Sequence, residues 1–157
     1  MQAPQQITPA GPADYLEVMT KAVFQSGMSW QVVEAKWSGF REAFADFDPE
    51  KIALYGGDDV ERLAADTRII RNRRKIEATL TNAEKMLELD RSPGGFAGWL
   101  RSHTDFEATV AALRAEFRFL GETGAYYFLY VVGEPVPSHE EWMKSHQISP
   151  RGGARAT

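Results

Sequence analysis

The chain has 157 residues, of which 25% are charged and 43% hydrophobic, with a formal net charge of −4 and no cysteine. That length fits one domain with its own core. No run approaches the roughly 18 apolar residues of a membrane helix, and Met1 to Pro12 lack the basic-then-apolar order of a signal peptide. Zero cysteine excludes disulfides, thiol nucleophiles and cysteine-held zinc or iron–sulfur, so the expectation is a soluble cytoplasmic protein.

Residues 1–13 form a loose lead-in rich in Pro, Gly and Gln. Asp14 with Glu17 resembles a capping box, and Tyr15, Met19 and Val23 recur behind it at helical spacing. Gln25–Ser26–Gly27–Met28–Ser29–Trp30 is then a polar turn running straight into a tryptophan. Trp30 either packs into the core as part of a helix–turn–helix connection or stays free for another role. A second apolar stripe follows at Val33, Trp37, Phe40 and Phe44. Asp48–Pro49 opens a short helix to about Leu54, and Asp58 with Glu61 opens another through Ala65.

Arg68, Arg71, Arg73, Arg74 and Lys75 fall within eight residues that contain no acid. Such a run is either a solvated face or a local basic surface for phosphates, which a mildly acidic total does not forbid. Ile76, Leu80, Ala83 and Leu87 mark a long helix, broken at Ser92–Pro93–Gly94–Gly95. Thr104 with Glu107 caps one more, carrying Val110 and Leu113.

Ala125 to Val132 has strand-like composition, but nothing else in the chain could pair with it, so a buried helix is expected. Ser138 with Glu141 caps a last helix to about His146, and residues 148–157 read as a disordered basic tail. The class is all-α, with about eight helices. His103, His139 and His146 match no metal-ligand spacing, and no metal or cofactor is expected. Gly121–Glu122–Thr123–Gly124 joins two helices. It is either an ordinary connection or a turn whose backbone N–H groups face a phosphate.

Five segments carry a family resemblance. They are Phe24 to Trp30; Phe44 to Ile52; Asp59 to Leu63; Ile69 to Ile76 with Asn82–Ala83; and Phe117 to Thr123. Together they resemble the 3-methyladenine DNA glycosylase I family, within the helix–hairpin–helix superfamily that includes endonuclease III, over residues 14–147. The resemblance implies a two-lobed all-α fold acting as a monomer on duplex DNA containing alkylated bases. The activity it implies is monofunctional base excision: the damaged base is flipped out and its N-glycosidic bond hydrolysed.

By the same resemblance Trp30 stacks on the base, and Gln25 and Met28 fill the gap left in the duplex. Gly121, Thr123 and Gly124 hold phosphates, while Arg71, Arg73, Arg74 and Lys75 are further basic contacts with DNA.

This chain also departs from the family. Ala22 stands where the family has a base-contacting glutamate, and Glu17, Glu140 or Glu141 could supply a replacement. The family's zinc clip has lost its cysteines; His139 survives and Met143 replaces one cysteine, which implies no zinc. No catalytic aspartate follows the hairpin helix at Val136–Pro137–Ser138–His139, and Ala125 replaces the Schiff-base lysine of bifunctional relatives. The catalytic residue is therefore unassigned. Two alternatives remain: a DNA-binding relative with altered lesion specificity or lost catalysis, and a helical protein–protein adaptor.

Overall fold

A computed structural model describes residues 3–146. The first helix, α1 (Pro12–Gln25), begins two residues ahead of the expected capping box because Pro12, with its preset φ and missing N–H, suits a first turn. Asp14 instead turns back to accept from the Ala10 N–H at 2.8 Å. The following stripe divides into α2 (Trp30–Ala35) and α3 (Trp37–Ala43) at Lys36, whose φ of −102° and ψ of 4° leave the helical well. A 3₁₀ turn (Ala45–Phe47) leads to α4 (Pro49–Ile52), capped by Asp48 accepting from the Glu50 N–H, and then to α5 (Gly57–Ala64).

The long helix α6 (Arg73–Leu89) is capped by Asn72, whose side chain accepts from the Lys75 N–H at 3.1 Å. After the break, Gly94 and Gly95 take φ of 80° and 73°, a backbone that only glycine adopts without strain. The chain turns there into α7 (Gly95–Leu100), a helix the sequence pattern did not announce. α8 (Phe106–Glu116) is capped by Asp105 rather than Thr104, α9 is Glu122–Val131, and α10 (His139–Ser145) starts on the expected Ser138 cap. Ten α-helices thus stand among the described residues, against about eight expected. The aromatic segment is helical, as the lack of a partner strand required.

One apolar cluster joins α1, α3, α6 and α9. Leu16, Met19, Phe24, Phe40, Phe44, Phe47, Ile76 and Phe128 in it are fully buried. Burial of each such side chain contributes about 1.5–3 kcal/mol, which is why the 3.6-residue stripes locate the core. The lead-in is tied to α9: the Ile7 N–H donates to the Val131 carbonyl at 2.8 Å, and Gln6 Nε2 to the Tyr130 carbonyl at 2.9 Å.

The last helix is held by stacking. Trp142 lies 4.4 Å from the Tyr126 ring and 4° from parallel, with Phe106 edge-on at 5.9 Å. The family's zinc does not fit here. His139 packs on the rings of Tyr126 and Tyr130, and His146 stacks on Trp142, while among the described residues no three His, Asp or Glu side chains converge. The tail expected at 148–157 lies outside the described residues.

Candidate nucleic-acid interface

Trp30 is 52% exposed and Met28 39%, so the indole heading α2 is not a core residue. Trp37, one helix later, fills that role at 3% exposed, its Nε1 donating to Glu17 at 2.8 Å. The turn before Trp30 is tight: the Met28 N–H donates to the Gln25 carbonyl at 3.0 Å, and Gly27 reverses the chain at φ 74°. Gln25, Met28 and Trp30 therefore project from one short, well-held segment.

Lys75 does the holding. It is 4% exposed, and its Nζ donates to the carbonyls of Phe24, at 3.1 Å, and Ser26. These oxygens end α1, where the helix leaves unsatisfied carbonyls and partial negative charge, so a cation suits the place. Burial lowers the pKa of this amine from its usual value. The same Nζ is 5.9 Å from the centre of the Phe119 ring.

The Arg68–Lys75 run therefore does not act as one surface. Arg68 is bound to Asp66 at 2.7 Å, Arg73 is paired with Glu61, and Lys75 points inward. Arg71 and Arg74 carry no ion pair among the described residues, and the Arg74 guanidinium lies 5.5 Å over Phe119. A one-letter string cannot tell a buried lysine from an exposed one, because the carbonyls it meets lie 51 and 49 residues away.

The α8–α9 connection is built on Asn82 of α6. Its Oδ1 accepts from the Arg118 N–H at 2.8 Å, and its Nδ2 donates to the Arg118 carbonyl at 3.1 Å. With Arg118 held at both ends, Phe119 is turned into the left-handed region at φ 62°, which costs a non-glycine residue about 1–2 kcal/mol. Gly121 then opens α9 with no side-chain cap, leaving the N–H groups of the first turn outward. A Cβ added to Gly121 would meet open space, so packing within the protein does not demand glycine there.

Gly121 and Thr123 are exposed and Gly124 half-buried, all on this first turn. Glu122, also on the turn, leans to His146 Nε2 at 3.3 Å. A cleft of about 710 Å³ runs beside the turn, lined by Ser26, Arg114, Arg118, Phe119 and Gly121 among others. It joins the Gln25–Trp30 segment to the α9 turn, with two arginines on its wall.

Ala22 is buried against α9: a Cβ on Gly124 would lie 3.8 Å from its own. Glu17 turns its Oε2 to Trp37 Nε1 and to Arg41, the latter at 2.6 Å. Glu140 and Glu141 lie in the first turn of α10, which packs on α9 through Trp142 and Tyr126. Glu34 lies one turn along α2 from Trp30, and Lys21 holds its Oε1 at 3.0 Å. Burial, then the charge of Glu34, pushes the Tyr127 phenol up to about 12, against a smaller opposing effect of Gln25.

This helical framework is shared with a solved 3-methyladenine DNA glycosylase I. That structure superposes with a TM-score of 0.70 at 28% identity, covering 81% of each chain, which makes the fold that of the helical DNA glycosylases. DNA-3-methyladenine glycosylase 1 of Escherichia coli (strain K12) is 31% identical, over 69% of this chain and 70% of that protein. The Haemophilus influenzae DNA-3-methyladenine glycosylase is 29% identical over the same shares. The sequence profile described as methyladenine glycosylase matches residues 9–116, from the lead-in to the end of α8. The chain belongs to the methyladenine glycosylase family.

Proposed function

We propose that this chain is a DNA base-excision repair glycosylase that flips alkylated, 3-methyladenine-like bases out of duplex DNA and hydrolyses their N-glycosidic bonds. The observation that carries the reading is the exposed Trp30, held at the head of α2 by a turn whose backbone is pinned from behind. A purine methylated at N3 is cationic, and its electron-poor ring stacks on an indole. That contact is worth on the order of 1–3 kcal/mol.

Gln25 and Met28, on the same turn, enter the gap left by the flipped nucleotide. The N–H groups around Gly121, Thr123 and Gly124 hold the phosphates, and Arg71 and Arg74 add charge. In the reaction the C1′–N9 bond breaks and its electron pair passes to the purine, cancelling the positive charge. Water adds at C1′ and releases a proton. Because the leaving purine is already activated, stacking, exclusion of water and positioning supply most of what the step needs.

Release of 3-methyladenine from alkylated duplex, compared with Trp30→Ala, tests the reading. The native protein should free the base and the variant should do so about tenfold to a hundredfold more slowly, as loss of one stacking contact implies. Native protein at micromolar concentration that frees no methylated purine refutes it. Ala22 favours one second reading, a DNA-binding relative that has changed its lesion. Tight, salt-sensitive binding to duplex without release of 3-methyladenine is its signature.

A further inference from the structure

The cleft beside the α9 turn carries charge that has no internal partner. Arg114 stands in the last turn of α8 and Arg118 four residues on, both exposed and both on the cleft wall. Among the described residues neither guanidinium is in an ion pair, and Arg118 meets Asn82 through its backbone alone. The carboxylates next to them in sequence are turned elsewhere. Glu116 reaches Lys85 at 3.2 Å, and Glu122 reaches His146 at 3.3 Å. Among the described residues no acidic side chain lines the cleft, so its wall keeps a positive field.

Phe119 lines the same cleft, 36% exposed, at a φ of 62° that a glycine would adopt without strain. What a phenyl ring adds at that cost is a face, and the Arg74 guanidinium lies 5.5 Å over it. Arg74 is the second residue of α6, exposed and without an ion pair among the described residues. A cation resting on a ring is already placed, and loses less freedom when it takes up a ligand.

We propose that Arg74, Arg114 and Arg118 form a phosphodiester-binding site made of side chains, separate from the main-chain N–H groups of the α9 turn. Phe119 is the positioning residue that holds Arg74. The guanidinium fork suits such a ligand because it donates to two phosphate oxygens at once. The occupant is the DNA backbone. The cleft runs from Ser26, next to Gln25, to Gly121, so a strand lying in it passes from the turn that enters the duplex gap to the turn that opens α9. The site therefore takes a phosphodiester between those contacts, on the strand that carries the flipped nucleotide. The proposal rests on the glycosylase reading, which supplies the two ends of that path.

The test uses duplexes with a tetrahydrofuran abasic analogue, which has no base to release, each with one phosphodiester replaced by an uncharged methylphosphonate. At one linkage flanking the analogue, the replacement should weaken the native protein on the order of tenfold and leave Arg114→Gln/Arg118→Gln unaffected. That double variant should keep its melting temperature and lower the slope of log K against log salt by about 2. Phe119→Leu meets the same backbone strain, and should weaken binding by about threefold alone but not when added to Arg74→Gln.

Equal responses of the native protein and the double variant at every linkage overturn the proposal. So does inorganic phosphate that binds the native protein and not the double variant while both hold duplex equally, since the arginines then serve a free anion. Additive losses in Phe119→Leu and Arg74→Gln overturn the role of Phe119. Linkage-specific binding by a native protein that releases no 3-methyladenine supports the site and sinks the glycosylase reading. A protein that binds no duplex overturns both.

Discussion

Asn82 grips the backbone of Arg118 at both ends, 36 residues along the chain, through bonds of 2.8 and 3.1 Å. The Asn82 side chain is 1% exposed, while the Arg118 backbone it holds is only partly buried. Asn82→Ala takes their partner from the partly buried N–H and carbonyl of Arg118, and should cost about 1–3 kcal/mol in denaturant unfolding. It should also weaken binding to undamaged duplex, because the turn before Gly121 is no longer set. Asn82→Asp keeps the acceptor but loses the donor and adds a buried charge, so it should not restore stability.

Lys75→Met removes the two hydrogen bonds that hold the end of α1 while keeping the aliphatic stem. The expected loss is about 2–3 kcal/mol of stability. Release of 3-methyladenine from alkylated duplex should fall further than binding to undamaged duplex. A variant as active and as stable as the native protein would show that the turn holds itself.

Gly121 has room for a side chain, so Gly121→Asp should fold with an unchanged melting temperature. It should nonetheless bind all duplex sequences more weakly, since it sets an anion against a phosphate. Replacing both Arg71 and Arg74 by glutamine should reduce the slope of log K against log salt by about 2 if both touch phosphate. Arg73→Gln frees Glu61 from its partner and serves as the comparison.

Tyr127 predicts a pH dependence of stability. Burial pushes its phenol in the folded protein up to about 12, from an ordinary value of 10.0. The folded state therefore holds its proton longer, and this contribution is complete below pH 10 and lost as pH rises toward 12. The loss amounts to roughly 2–3 kcal/mol. Desolvation raises Tyr15 and Tyr126 in the same direction. Chemical denaturation from pH 9 to 12 should show falling stability, and Tyr127→Phe should flatten the curve.

The fold was largely legible because its core follows helical spacing: Met19, Val23, Trp37, Phe40, Ile76 and Ala83 all face inward. Helix α7 was hidden because Gly95 and Gly98 read as a loop, while Phe96 and Leu100, which it buries, lie too close together to show a period. Trp30 and Trp37 could not be told apart as free and buried, since both open helices beside apolar residues. What separates them is Glu17, twenty residues before Trp37, and no local pattern announces that bond.

Lys75 grips main-chain oxygens, not side chains. Residues 25, 26 and 28 can therefore change identity without loosening the backbone that presents them. The support and the instrument it carries are separately inherited: one is encoded at position 75, the other in the turn. Such a partition leaves mutation free to try new contacts with damaged DNA on a mount that does not have to be rebuilt each time.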